Sequence, residues 1–299
     1  MNQDKYIDEL AEKIISSHNE YLDKETKNPD YLPDKAVVTE IIVLLRRLLF
    51  PGYFDDNGSG AKSPDCAVRS LITEVEYKLS RQICCALNLD TGKNENCCDM
   101  FDGACEICNA FLNKIPDLVE ILLTDVQATF EGDPAARSEH EIIFAYPGIF
   151  AISVYRMAHE LHLLSVPLVP RMMTEYAHSL TGIDIHPGAD ISHHFFIDHG
   201  TGIVIGETTK IGAYVKLYQG VTLGGLSTRG GQSLRDKKRH PTLEDEVTVY
   251  SGATILGGNT IIGKGSIIGG NVFLTNSVPP NTRVYMKNNE LEYSPAGKS

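Results

Sequence analysis

Between positions 184 and 225 an aliphatic residue recurs at every sixth position: Ile185, Ile191, Ile197 and Ile203. The phase then slips by two, and the beat resumes at Ile205, Ile211, Leu217 and Leu223. An α-helix has no six-residue period, and an isolated strand repeats every two. A six-residue beat predicts a coil of short strands, one flat side per repeat, with each aliphatic side chain stacked inside on its copy one coil away. That is the signature of a parallel β-helix. The beat breaks once, after Gly225, at LSTRGGQSLRDKKRHPT, which is polar and glycine-containing and reads as an exposed loop. It returns at Leu243, Val249 and Ile255, and after one extra residue at Ile262, Ile268 and Leu274. Gly252, Gly257, Gly263, Gly265 and Gly269 fall where the coil must turn tightly. Pro279-Pro280 close the run, and the tail from Asn281 reads as irregular.

The pattern upstream is helical. Residues 4–22 carry Ile7, Leu10, Ile14 and Ile15 at helical spacing, and 35–50 repeat the pattern before Pro51-Gly52. DDNGSGAKSPD reads as a linker whose last residue, Asp65, caps a helix running to about Leu87. Helices are expected around 103–113 and 115–130, with a break at GDPAA. Another spans 147–164 from Pro147, and a last short one ends at Gly182. The expected fold class is α + β. An all-α domain occupies 1–182, a parallel β-helix with one inserted loop occupies 183–280, and a tail occupies 281–299.

Composition narrows the function classes. A net charge of −12 over 299 residues lacks the basic footprint of a nucleic-acid binder and does not suit an anionic membrane surface. The longest apolar run, Ile41–Leu45, is far too short to span a bilayer. MNQDKYIDEL does not show the basic-then-apolar pattern of a secretory signal, so the expected location is cytoplasmic. All seven cysteines precede position 109, four of them at Cys97, Cys98, Cys105 and Cys108. No second C-x-x-C follows at zinc-ribbon spacing, and a helical surface carrying thiols in a reducing compartment accounts for them. No metal is expected there.

The coil carries groups that a scaffold does not need: Asp184, His186, Asp198 and His199. Neighbours on a strand point to opposite sides, so Asp198 and His199 cannot both enter the core. Asp184 lies 15 residues before His199, close to one coil of three hexads, and stacked coils are ~4.8 Å apart. A carboxylate on one imidazole nitrogen sets the tautomer and raises the basicity of the other, which makes His199 a candidate general base for a hydroxyl. The plain alternative is a hydrogen-bonded corner histidine. Three further features gather around it. Arg239-His240, at the end of the inserted loop, suits a carboxylate. Backbone N–H groups at Gly224-Gly225 suit an oxyanion. Asp133, closing a helix, suits an ammonium.

The motifs DIHP, IDHGTG, GIVIGET, VTLGG and RHP, in that order and spacing, together with the upstream TDVQATFEGDP, resemble the serine O-acetyltransferases. The resemblance runs from about Asp125 to Pro280. It implies a left-handed β-helix and transfer of acetyl from acetyl-CoA, the co-substrate, to the hydroxyl of L-serine, giving O-acetyl-L-serine for cysteine synthesis. It implies His199 as base with Asp184 as partner, and Asp133, Asp198, Arg239 and His240 as serine ligands. Gly225 would lie near the thioester, with Ser251 and Gly270 along the CoA. It further implies active sites between the subunits of a homotrimer, with two trimers often joined through the helical domains, no metal, and feedback inhibition by cysteine.

Four departures qualify the resemblance. The loop from Gly225 to Arg239 is longer than in common bacterial members. The region before Asp125 is longer and cysteine-rich. Val284–Lys287 replaces a GVPA-type turn. The sequence ends SPAGKS rather than in isoleucine, which does not favour a stable complex with O-acetylserine sulfhydrylase. Rival readings are a zinc enzyme of the β-helical carbonic-anhydrase type using His186, His193, His194, His199 and His240, a non-catalytic scaffold, and an acetyltransferase for homoserine or a sugar hydroxyl.

Overall fold

The computed structural model describes residues 3–21, 32–54, 64–91, 97–227, 229–235 and 237–287. Most of the linker 55–65 and the SPAGKS terminus lie outside these residues, as do the side chains of Cys97 and Cys98. Eight helices are described: α1 (Gln3–Tyr21), α2 (Lys35–Leu49), α3 (Pro64–Thr91), α4 (Cys97–Leu112), α5 (Ile115–Gly132), α6 (Glu139–Ala145), α7 (Pro147–Leu163) and α8 (Val169–Thr181). The apolar stripe of α1, including Ile7, Leu10, Ile14 and Ile15, is exposed in the single chain. Asp34 caps α2, accepting from Ala36 N–H at 2.7 Å. Helix α3 begins at Pro64, so Asp65 sits in its first turn rather than capping it.

Helix α6 follows the expected break at GDPAA, in a stretch for which no element was expected. Ser138 accepts from Glu141 N–H at 3.2 Å, and the Glu141 carboxylate accepts from Arg137 N–H at 2.8 Å. The reciprocal Ser-x-x-Glu pattern was the available signal. The thiols are also placed differently from the surface expectation: Cys84, Cys85 and Cys108 are buried. Burial pushes the Cys108 thiol up to about 11, so it is a packing group rather than a nucleophile.

From Asp184 the chain winds through fourteen short strands in three parallel sheets. Face one stacks β1 (Asp184–Ile185), β4 (Val204–Ile205), β7 (Thr222–Gly224), β10 (Thr254–Leu256) and β13 (Phe273–Leu274). Face two stacks β2 (Asp190–Ile191), β5 (Lys210–Ile211), β8 (Thr242–Leu243) and β11 (Ile261–Ile262). Face three stacks β3 (Phe196–Asp198), β6 (Lys216–Tyr218), β9 (Thr248–Val249), β12 (Ile267–Ile268) and β14 (Arg283–Val284). The aliphatic beat is the ladder itself: Ile185 pairs with Ile205, Ile197 with Leu217 and Ile268 with Val284. Strand β14 extends the coil past Asn281, where an irregular tail was expected. Its pairing with Ile267–Ile268 supplies the partners that its backbone needs.

The helical half and the coil share one continuous apolar cluster, from Val38 to Val278. A buried ion pair pins them together. Arg156 on α7 grips Asp125 on α5 through Nε (2.6 Å) and Nη2 (2.9 Å), and donates to Ile191 O (3.1 Å) and Ser192 O (2.8 Å) on the first coil. Asp125 also accepts from Phe195 N–H at 2.8 Å, and Thr124 Oγ1 from His194 N–H at 3.0 Å. Helix α7 is buried along most of its length. Among the described residues no single helix is long and apolar enough to cross a membrane.

Candidate active site

The expected site residues fall at two corners of the prism. The first joins face three to face one. There His199 follows β3 in the left-handed backbone region, with φ 57°, and its side chain is 72% exposed. Gly200 follows at φ 88°, and a Cβ on it would meet Ile183 Cδ1 at 2.5 Å, so both conformation and space require glycine. Asp198 lies beside His199, with Oδ1 3.8 Å from Nδ1. Asp133, at the end of α5, accepts from the Tyr146 hydroxyl at 2.6 Å and from Ala135 N–H at 2.8 Å. The Tyr146 hydrogen bond, helped by that N–H and by the nearby His199, holds the Asp133 carboxyl below the usual range. The same bond pushes the Tyr146 phenol up to about 12. Tyr218 pairs in register with Asp198 and stacks on Tyr250, ring centroids 5.0 Å apart. Ser251 and Gly270 lie farther up this corner: Asn271 N–H donates to Ser251 O at 2.9 Å, and a Cβ on Gly270 would sit 3.2 Å from that oxygen.

Asp184 was expected near His199, close to one coil away, but its ladder partner is Val204. The first coil, from Asp184 to Val204, is two residues longer than the second, from Val204 to Thr222, and the phase slip in the aliphatic beat is that difference. The corner at His199 lies over the chain just before Asp184, with Gly202 N–H bonded to Gly182 O at 2.8 Å. No hydrogen bond or ion pair joins Asp184 to His199 among the described residues. Asp184 Oδ1 instead lies 3.9 Å from Arg171 on α8.

The second corner joins face one to face two. Here GET of the second coil holds RHP at the end of the inserted loop. Thr208 Oγ1 accepts from Arg239 N–H (2.9 Å) and His240 N–H (3.1 Å), while Thr208 N–H donates to His240 Nδ1 (3.1 Å). Glu207 pairs with Arg239 Nη2. Gly206 makes room for the imidazole: a Cβ there would lie 2.1 Å from His240 Cδ2. Lys238 Nζ donates to Thr208 O (2.7 Å), Pro241 O (3.1 Å) and His240 O, clipping the loop end onto the coil. Burial lowers the Lys238 ammonium to about 8 and the His240 imidazole to about 4. His240 is therefore neutral near pH 7. With Nδ1 accepting, its proton is assigned to Nε2, which sits 3.9 Å from the Cβ position of Gly225. Burial likewise lowers His186, on the layer below, to about 4. Sequence reasoning missed Thr208, Glu207, Lys238 and Tyr146. Only the resemblance had drawn attention to GET, and nothing in the spacing pairs it with RHP across the insertion.

The histidines of the zinc reading are scattered around the prism. His186 and His240 are at the second corner, His199 at the first, and His193 and His194 at the third, against Tyr214. Among the described residues one group of ligand-type side chains does converge, Glu175, His178 and Asp184, but Arg171 is paired with both of its carboxylates.

No protein-family model matches the chain. The plasmid serine acetyltransferase of Synechococcus elongatus is 44% identical over 255 residues, covering 83% of this chain and 80% of that one. The chain belongs to the serine acetyltransferase family. A Helicobacter pylori serine acetyltransferase is 47% identical over 118 residues, 40% of this chain and 66% of that one. Among solved structures, Entamoeba histolytica serine acetyltransferase 1 in complex with L-cysteine aligns with a TM-score of 0.72 at 33% identity, covering 96% of this chain and 100% of that one. Soybean serine acetyltransferase complexed with serine aligns at 0.53 and 30% identity, covering 86% and 96%. A serine acetyltransferase is an acyltransferase, so the scaffold reading is set aside.

Proposed function

We propose that the chain acetylates the hydroxyl of L-serine with acetyl-CoA, at a site made by two copies of the chain. The observation that carries this reading is the separation of the two corners. His199, Asp198 and Asp133 lie at one end of face one, and Arg239, His240 and Gly225 at the other. A flat side of about six residues spans on the order of 16–20 Å, too far for one small amino acid to touch both ends. A three-fold arrangement of prisms sets the first corner of one copy against the second corner of its neighbour and completes the site.

In that site Asp133 and Asp198 take the serine ammonium and Arg239 its carboxylate, with His240 Nε2–H as a further donor. His199 accepts the hydroxyl proton as the oxygen attacks the thioester carbonyl. The C–O bond forms, the carbonyl oxygen becomes an oxyanion facing N–H groups near Gly225, and the C–S bond then breaks. His199 returns the proton to the departing thiolate. Acetyl-CoA extends along the first corner past Ser251 and Gly270. Asp184 turns the His199 ring once the ligand is bound, which the exposed imidazole leaves room for. The same pocket admits cysteine as a competing amino acid, and the cytoplasm, which holds acetyl-CoA, is the setting.

The test is complementation between two inactive variants, His199→Asn and Arg239→Ala, unfolded together in equal amounts and refolded. Random trimers with sites shared between neighbours recover roughly a quarter of wild-type activity, since one interface in four joins two intact halves. No recovery from a mixture in which each variant alone refolds to trimers would place both corners in separate sites.

A further inference from the structure

On the helical side of the molecule, the Arg46 guanidinium makes no ion pair or hydrogen bond among the described residues. Arg46, on α2, is wedged between two rings, its Cζ 4.3 Å from the Phe54 centroid and 4.7 Å from that of Phe150. Its Nε is buried and makes no hydrogen bond. No ion pair to Arg46 is formed among the described residues, and burial alone lowers its pKa, to about 10. A buried donor without an acceptor is costly, and native structures rarely leave one without a water or a ligand. Rings over the faces of a planar guanidinium leave its edge, where the N–H donors lie, as the side open to an acceptor.

That residue borders a cavity of about 160 Å³ lined by Ile143, Phe144, Tyr146, Phe150, Leu180 and Thr181. The volume is far above the ~10–15 Å³ that holds one water and below the ~300 Å³ of a drug-sized site. One guanidinium balances one negative charge, and Ile143, Phe144, Phe150 and Leu180 supply the apolar part of the wall. A phosphate or sulfate dianion would bring a second charge where Arg46 is the one cationic lining residue, whereas a monocarboxylate with a short carbon chain would match both parts.

We propose that this cavity is a binding site for a small aliphatic carboxylate, paired through its oxygens with Arg46 and packed through its carbon chain against Ile143, Phe144, Phe150 and Leu180. The site also has a route to the acyl-transfer centre. Tyr146 forms part of the wall, and its hydroxyl holds Asp133 at 2.6 Å. An occupant that shifts Tyr146 changes the carboxylate assigned to the serine ammonium. This second step rests on the function proposed above, but binding at Arg46 does not.

The experiment is calorimetric titration of the full chain with sodium butyrate, 1-butanol and sodium sulfate at constant ionic strength and saturating L-serine. Butyrate is expected to bind with Kd on the order of 1 mM, and butanol and sulfate at least ~10-fold more weakly. Arg46→Met should weaken butyrate at least ~10-fold, and Arg46→Lys, which keeps charge and fold, by a smaller factor. Absence of butyrate binding, equal binding of butanol, or equal binding to a folded Arg46→Met protein would each overturn the site. Sulfate binding as tightly as butyrate would overturn its assignment to an organic carboxylate. Butyrate binding seen in a parallel titration without L-serine but lost at saturating L-serine would place the anion in the acceptor pocket instead. A chain that binds butyrate through Arg46 yet does not acetylate serine would leave this site standing and remove only the proposed function.

Discussion

The two corners that flank face one are built in opposite ways. At the second, Arg239 and His240 are held by Thr208, Glu207 and Lys238, and a glycine is cut away to seat the imidazole. At the first, His199 projects from a left-handed turn with its side chain 72% exposed, near the carboxylates of Asp198 and Asp133. Recognition of a fixed carboxylate gains from a pre-ordered donor, because ordering it on binding would cost affinity. A proton-transferring imidazole must follow a hydroxyl that changes position, and its partners need to tighten only when substrate arrives. Under the proposed function, the contrast places rigidity where the ligand is static.

The largest expected effect breaks the first corner. His199→Asn should lower turnover at least ~100-fold, the scale of general-base losses, with acetyl-CoA binding little changed. A loss below tenfold would remove His199 as the base. Next is the identity of its carboxylate partner. Asp184→Asn should cost roughly 10–100-fold in turnover with the serine KM little altered, the signature of a residue that orients the base. Asp198→Asn should instead act mainly on the serine KM. The reverse outcome would transfer the orienting role to Asp198, the closer carboxylate in the single chain.

At the second corner, Thr208→Val keeps the shape and removes the acceptor for two backbone N–H groups. The serine KM should rise roughly 5–30-fold, the equivalent of about 1–2 kcal/mol, with the acetyl-CoA KM nearly unchanged. An equal rise in both would mean that Arg239 grips the cofactor.

The smallest effect is on stability against pH. His240 and His186 have imidazoles lowered by burial from the ordinary 6.5 to about 4. Between those values the unfolded chain binds protons that the folded chain does not. Stability is therefore complete above about pH 6.5 and falls as pH drops toward 4, the sign for a depressed folded-state pKa. Denaturant midpoints measured across that range should decline in the wild type and decline less in His240→Gln.

Much of the coil was legible because a repeat is a local property. Ile185, Ile205 and Leu223 announce a stack simply by recurring, and the two-residue slip before Ile205 already contained the longer first coil. Taking the distance from Asp184 to His199 as nearly a whole turn ignored that slip. Helix α6 was written in Ser138 and Glu141 but is too short for apolar periodicity to reveal. The thiols at Cys84 and Cys108 read as surface groups because the wide apolar face of α3 and α4 is set by what packs on it.

Periodicity, turn residues and motif order were enough to specify a helical half, a three-sided coil, and a set of residues able to move a proton and grip an amino acid. They could not specify which of those residues meet. The grip of Thr208 on His240, the bond from Tyr146 to Asp133, the approach of Asp184 to Arg171 and the seating of Arg46 against Phe150 all join different elements of the chain. Such contacts arise when coils stack and helices dock. Their geometry depends on the summed length of everything between the partners, and no local pattern of residues records that.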